Sequence, residues 1–297
     1  MRGIVLAGGS GTRLRPATKA LSKQLLPVYD KPMIYYPLSV LMLTGIRDVL
    51  IISTPDHLSL YQQLFETGAE LGLNIEYAVQ ERPGGLAEAF LLGADFIGDE
   101  NVCLVLGDNI FHGTDLGPLL RAEAEQVSGC TLFTYPVSDP TRYGIAELDR
   151  DGSLVRLAEK PISPSSNQAV TGLYLYTPDV VDHARALTPS ARGELEITDL
   201  NNRYLGEGRA RIVGLGPETV WLDTGTHDSL LAAGNVVQLL QHRNEPVACL
   251  EAIAWRMGFI STRQMVRLTR NYPEGSAVAT YLAGLLAREP LGFEAFA

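Results

Sequence analysis

Leu6-Ala7-Gly8-Gly9-Ser10-Gly11-Thr12-Arg13-Leu14, followed at Lys23 by a second cation, is the segment of this sequence best suited to hold phosphate. Glycines placed directly after a short apolar run let the backbone approach a ligand, so that main-chain N–H groups can point at phosphate oxygens. Arg13 can grip two oxygens at once, and Lys23 adds a mobile point charge. No Gly-Lys-Ser/Thr closes the loop, so it is not a Walker A motif. Leu14 stands where a dinucleotide fingerprint needs its third glycine, which weakens an NAD-binding oxidoreductase. A flexible strand-to-loop turn with solvated charges is the plain alternative.

Two carboxylates could complete a phosphate site. Asp108, in Gly107-Asp108-Asn109, and Asp223, in Val220-Trp221-Leu222-Asp223-Thr224-Gly225, each end a short apolar run. Mg²⁺ favours one or two carboxylates plus substrate phosphates, and this pair would suit it if the two converge; either Asp alone could equally be a turn former or helix cap. Glu159-Lys160-Pro161 offers a second anion site with a hydrogen-bond acceptor for a hydroxylated ligand, or else a surface salt bridge. Tyr143-Gly144 and Ala191-Arg192-Gly193-Glu194 could line the same cavity. Gln80, before the Pro83-Gly84-Gly85 turn, could pair with a base edge or cap the turn. The five histidines show no metal-ligand spacing, and Ser10 is not in a Gly-x-Ser-x-Gly elbow.

Charge supports a small anionic ligand. The chain has 297 residues and a formal net charge of −10, which argues against a general nucleic-acid binder. Residues 1–29 carry Arg2, Arg13, Arg15, Lys19 and Lys23 and no acid, a local +5 that leaves −15 for the rest. Of the 24 basic residues only Lys19, Lys23, Lys31 and Lys160 are lysines, so their clustering near the glycine loop stands out in an Arg-biased chain. No apolar run reaches the ~18–20 residues that cross a bilayer. Three scattered cysteines without a Cys-x-x-Cys fit a reduced, cytoplasmic protein.

The elements that must position these residues follow from apolar periodicity. Strands are expected at Gly3–Ala7, Asp48–Ser53, Ile75–Val79 and Val102–Leu106, and helices at Met33–Thr44, Ser59–Gly72 and Leu86–Phe96. Strands separated by such helices form parallel βαβ units, whose ligands bind outside the strand carboxyl ends. Beyond Thr131 strands dominate (Thr131–Val137, Ile145–Asp149, Ser153–Ala158, Val170–Thr177), with helices at Pro178–Leu187 and Asp199–Gly206 and a strand at Arg211–Leu215. From Thr226, a plausible N-cap, the chain reads helical, with breaks near Gly258 and Tyr272–Gly275. The expected fold is α/β, a Rossmann-like, mainly parallel mixed sheet flanked by helices. Residues 1–225 would form the core and 226–297 a helical appendage for oligomer or regulatory contacts.

Leu6–Lys23 resembles the signature of nucleoside-diphosphate-sugar pyrophosphorylases, and Ser22–Pro37 is similar to the glucose-1-phosphate thymidylyltransferases among them. The resemblance continues through Gln80, Gly85-Leu86-Ala87, Gly107-Asp108-Asn109, Tyr143-Gly144, Glu159-Lys160-Pro161, Gly193–Asp199 and Trp221–Gly225. It implies transfer of dTMP from dTTP to α-D-glucose 1-phosphate, a first step toward dTDP-rhamnose or other dTDP-deoxysugars. Gly8, Gly9, Gly11, Thr12, Arg13 and Lys23 would cradle the triphosphate and Gln24 would contact the nucleotide. Gln80 and Gly85 would read the thymine, and Asp108 and Asp223 would hold Mg²⁺. Tyr143, Gly144, Glu159 and Val170 would contact the sugar, and Lys160 with Arg192 its phosphate. Arg13, Lys23, Asp108 and Lys160 would be the catalytic set. A homotetramer with feedback by a dTDP-sugar also follows from the resemblance, while charge and apolar run length argue against nucleic-acid and membrane partners. The near alternative is the same reaction with UTP or another sugar phosphate; a more distant one is a nucleotide-sugar-binding regulator without turnover.

Overall fold

A computed structural model describes residues 1–9, 11–243 and 245–288. The end of the expected helical appendage, residues 289–297, lies outside the described residues. In chain order the strands are β1 (Arg2–Leu6), β2 (Pro27–Val28), β3 (Lys31–Pro32), β4 (Asp48–Ser53), β5 (Asn74–Val79), β6 (Val102–Leu106) and β7 (Asn109–His112). They continue with β8 (Cys130–Pro136), β9 (Gly144–Leu148), β10 (Leu154–Glu159), β11 (Gln168–Tyr176), β12 (Ala210–Gly214) and β13 (Val220–Asp223). The helices are α1 (Tyr35–Leu43), α2 (Pro55–Phe65), α3 (Glu88–Leu92), α4 (Ala94–Ile97), α5 (Leu116–Glu125) and α6 (Val180–Arg185). After them come α7 (Ile197–Gly206), α8 (His227–His242), α9 (Leu250–Arg256), α10 (Thr262–Thr269) and α11 (Ala277–Arg288).

Among the described residues nine strands form one mixed sheet. Its parallel half runs β6-β1-β4-β5, in register from Val5 to Ile51 on one side and to Val105 on the other. β11 joins it antiparallel, with Leu173–Tyr176 against β6, and its first residues pass on to β9. β8 pairs with β11 across a register shift between Val170 and Tyr174, and carries β12 in parallel on its other edge. β9 and β10 form the hairpin expected at Asp149–Gly152.

The sheet is buried on both faces, which is why its parallel strands read as continuous apolar runs rather than alternating ones. Val5, Ile51 and Val105 pack into one core with α1 and the C-terminal helices, through Leu38, Leu250, Trp255 and Met265. Ile4, Leu6, Leu50 and Leu104 point the other way, toward Phe90, Val180 and Tyr204 of α3, α6 and α7. α8 sits over a third cluster, where Ala233 and Val237 meet Val28, Met33 and Ile110.

Several boundaries differ from expectation for identifiable reasons. The expected Leu86–Phe96 helix is two short ones, divided at Gly93, which packs against Ile4 and Leu50. The second helix begins at Pro55, a residue pre-set for a first helical turn, and ends at Phe65 rather than Gly72. α8 begins after Thr226 with a capping box shared with Ser229, but stops at His242, a break earlier than those near Gly258 and Tyr272–Gly275. The two-residue hairpin β2–β3 and the β7–β13 ladder were not anticipated as pairs. Among the described residues no helix is long and apolar enough to cross a membrane.

Candidate active site

The carboxyl ends of β1, β5 and β6 open onto a cavity of about 420 Å³. Gly8 and Gly9 follow β1, Gln80 follows β5, and Asp108 stands between β6 and β7; all line this cavity. From the antiparallel half come Tyr143, Gly144, Glu159, Lys160 and Val170, and from the later segments Arg192 and Asp223. Arg13, Lys23, Gln24 and Gly85 complete the sequence-derived residues on its wall. Gly11 and Thr12 line a smaller adjoining hollow that shares Gly9, Arg13 and Lys23 with the first.

The glycine loop is tight for a physical reason. Gly11 takes a left-handed backbone, φ +57°, and its carbonyl accepts from Thr18 Oγ1 at 2.7 Å. A Cβ at Gly9 would press on the Lys23 stem at 3.3 Å, so the bare backbone lets Lys23 lie along the loop. Lys23 forms an ion pair with Asp108, and both side chains are largely enclosed. Gln24, buried beside it, accepts from Ser22 Oγ at 2.6 Å, and Ser22 in turn accepts from Tyr61.

The two aspartates do converge. β7 and β13 pair antiparallel with Asn109 opposite Asp223, and Thr224 ties back to the Asp108 carbonyl through its N–H (3.2 Å) and Oγ1 (2.7 Å). Burial opposes ionisation of Asp108, but the Lys23 ammonium and a hydrogen bond from Asn109 outweigh it and hold the carboxyl below its ordinary range. Asp223 goes the other way. Burial and the charge of Asp108 push its carboxyl up, only partly countered by Lys23, Arg13 and Arg142. Two hard oxygen donors crowded together suit a divalent ion completed by phosphate oxygens. Among the described residues no group of three or more His, Cys, Asp or Glu is placed to hold a metal ion.

On the opposite wall, Glu159 accepts from Thr198 Oγ1 at 2.7 Å and from Lys160 Nζ at 2.8 Å. Burial alone would raise the Glu159 carboxyl, but these two donors hold it low. Lys160 adopts a left-handed backbone, φ +41°, rare outside glycine, and its N–H donates to the Tyr143 carbonyl at 3.0 Å. Arg192 reaches both carboxylate oxygens of Glu196, at 2.9 and 3.0 Å. Both cations on this rim therefore rest on neighbouring carboxylates while remaining half exposed.

Some residues that build the site carried no assigned role at the level of sequence. Asn109 Oδ1 accepts from Trp221 Nε1 at 2.6 Å and from the Gly172 N–H at 3.3 Å, joining β7, β13 and β11 at one atom. Gly172 has no room for a Cβ because the Asn109 carboxamide fills that space. Arg142 stands 3.6 Å from Asp223, and Glu88 accepts from Gln80 Nε2 at 2.7 Å. Their neighbours Asp108, Tyr143 and Ala87 lie in quoted motifs, which was the available signal.

Residues 2–238 match the family model described as nucleotidyl transferase. The chain is 57% identical over 268 residues to the glucose-1-phosphate thymidylyltransferase of Xanthomonas campestris pv. campestris (strain B100), covering 90% of this chain and 91% of that one. It is 51% identical over 289 residues to the enzyme of the same name from Neisseria meningitidis serogroup A, covering 97% and 100%. A Bacillus anthracis protein assigned as a glucose-1-phosphate thymidylyltransferase, crystallised with sucrose, superposes with a TM-score of 0.74 at 41% identity, covering 80% of this chain and 94% of that one. A UDP-glucose pyrophosphorylase bound to UDP-glucose shares the fold, with a TM-score of 0.69 at 24% identity, covering 80% and 98%. With the family model spanning most of the chain and identity above half to such relatives, this chain belongs to the nucleotidyl transferase family, as an enzyme grouped with the glucose-1-phosphate thymidylyltransferases.

Proposed function

We propose that the chain transfers the thymidylyl group of dTTP to α-D-glucose 1-phosphate, releasing pyrophosphate and forming dTDP-glucose. The observation that carries this reading is the gathering of Arg13, Lys23, Lys160 and Arg192 with two converging aspartates around one cavity. The sugar phosphate oxygen is already anionic, so no general base is needed. Its new bond forms to the α-phosphorus of dTTP while the bond from that phosphorus to the bridging oxygen breaks, and pyrophosphate leaves with the electron pair.

The difficulty is electrostatic. Two unit charges 4 Å apart repel by about 4 kcal/mol at an effective dielectric near 20. Arg13, Lys23 and the glycine-loop N–H groups (Gly8, Gly9, Gly11, Thr12) offset this on the triphosphate. Lys160 and Arg192 do so on the sugar phosphate, exchanging their carboxylate partners for the ligand. Gln24 contacts the nucleotide, Gln80 and Gly85 hold the base, and Tyr143, Gly144, Glu159 and Val170 hold the hexose. Asp108 and Asp223 would hold Mg²⁺, which when bound supplies positive charge against the phosphate oxygens. Holding the two esters in line contributes much of the remainder.

A homotetramer, feedback by a dTDP-sugar, and a division at about residue 225 between catalytic core and appendage belong to the same reading, as does a product destined for deoxysugars. The test is pyrophosphate release by the purified chain, with and without Mg²⁺, across nucleoside triphosphates and sugar phosphates. dTTP with glucose 1-phosphate should be the best pair; a clear preference for another pair replaces this substrate assignment.

A further inference from the structure

We propose that Glu88 is a positioning residue for base selection: it turns the Gln80 carboxamide so that its carbonyl oxygen faces the nucleotide, which makes the site select bases carrying a ring N–H. The inference rests on the preceding reading, in which Gln80 meets the base.

A glutamine amide presents an acceptor at one end and a donor at the other, and its neighbours decide which end a ligand meets. Gln80 is only 4% exposed, so few neighbours matter. Its Nε2 donates to Glu88 Oε2 at 2.7 Å and lies 3.5 Å from the Gly85 carbonyl. Both partners only accept, so the NH₂ must point at them. That leaves Oε1 on the Gly8 side, packed so closely against the bare backbone that a Cβ at Gly8 would collide with it.

The surrounding loop is built to let Glu88 do this. Glu88 is the first residue of α3, and its carboxylate turns back beneath Gly84, where any Cβ would run into it. Leu195 pins the loop from outside, donating its N–H to the Gly84 carbonyl at 2.7 Å and accepting from the Ala87 N–H at 3.2 Å. Gly85, with φ +100°, has the Leu195 backbone where a side chain would begin. Glu88 itself does not line the cavity; it acts only through Gln80.

A fixed carbonyl acceptor has a definite consequence. The ring N–H of thymine, uracil or guanine can donate to it. The unprotonated ring nitrogen of cytosine or adenine would set two lone pairs against each other, and a buried polar site discriminates strongly on such a mismatch. Glu88 therefore separates dTTP from dCTP but not dTTP from UTP, which share the N3–H.

The experiment compares kcat/KM for dTTP, UTP, dCTP and N3-methyl-dTTP, with glucose 1-phosphate, in the wild-type chain, Glu88→Ala and Glu88→Gln. Wild type should use N3-methyl-dTTP at least about tenfold less well than dTTP. Glu88→Ala, free to flip Gln80, should lower the dTTP:dCTP preference by about tenfold or more and leave the dTTP:UTP ratio within about twofold. Glu88→Gln, which keeps an acceptor, should recover most of the lost preference. An unchanged dTTP:dCTP ratio in Glu88→Ala, or an equal loss on every nucleotide, overturns the proposal. So does wild-type use of N3-methyl-dTTP as readily as dTTP, a measurement that needs no variant to fold. Wild-type preference for UTP would sink the thymidylyl reading and leave this one standing, whereas preference for dCTP or ATP would sink both.

Discussion

Lys23 and Asp108 lie 85 residues apart in the chain and form an ion pair in the cavity wall. In the proposed reaction the Lys23 ammonium would exchange this carboxylate for phosphate oxygens. Asp108, held ionised by Lys23, and Asp223, whose carboxyl is pushed up by burial and by Asp108, differ in environment and should still both be needed. Asp108→Asn and Asp223→Asn should each lower kcat at least about a hundredfold, with an unchanged circular dichroism spectrum, because a neutral amide is a poorer metal ligand. Near-normal turnover in either would move the metal elsewhere. Lys160 differs again, since it sits half exposed on the cavity rim beside Glu159. Lys160→Ala should raise the KM for glucose 1-phosphate roughly tenfold or more, with little change in that for dTTP, consistent with the loss of one charged hydrogen bond. Initial-rate kinetics with each substrate varied in turn will separate the two.

Short elements, not the long ones, do most of the positioning. β7 and β13 pair over four residues each, and neither would persist as an isolated hairpin. Asn109 and Trp221 lock them together and to β11, while Tyr143 packs its ring 5.3 Å from that of Trp221. One buried indole therefore fixes the strand that carries Asp223 and the loop that carries Tyr143 at once. Trp221→Phe keeps the packing but removes the N–H, and should cost about 1 kcal/mol of stability by urea titration. It should also lower kcat more than it changes KM, since Asp223 lies two residues on; a purely structural role would leave kcat alone. Of these elements, β4 and β6 were legible to the residue (Asp48–Ser53 and Val102–Leu106), because strands buried on both faces announce themselves as unbroken apolar runs. β13 was visible only as an apolar run, and β7 not at all, because a four-residue ladder between segments more than 100 residues apart is decided by what the rest of the fold brings together.

At the scale of the molecule, an ionic network braces the sheet edge away from the cavity. Asp179 accepts from Arg209 (2.6 Å), Thr177 (2.5 Å) and Tyr204 (3.1 Å), with His183 3.5 Å away and Glu207 also on Arg209. Burial opposes its ionisation, but these donors prevail and bring its carboxyl from 3.8 down to about 2. A carboxyl whose folded-state value is depressed stabilises the fold above its unfolded value and loses that contribution as pH falls through the folded one. Stability should therefore decline between about pH 4 and pH 2, and Asp179→Asn should flatten that decline, measured as the urea midpoint against pH; a slope identical to wild type would remove the network from the account. Residue type and spacing by themselves determined the glycine-rich turn after β1, the parallel half of the sheet and the apolar runs that end in Asp108 and Asp223. All of these are local properties of side-chain chemistry and periodicity. Only the tertiary structure decided that the aspartates meet and that Lys23 rests on Asp108. Those contacts depend on distances between chain-remote atoms, which no local pattern encodes.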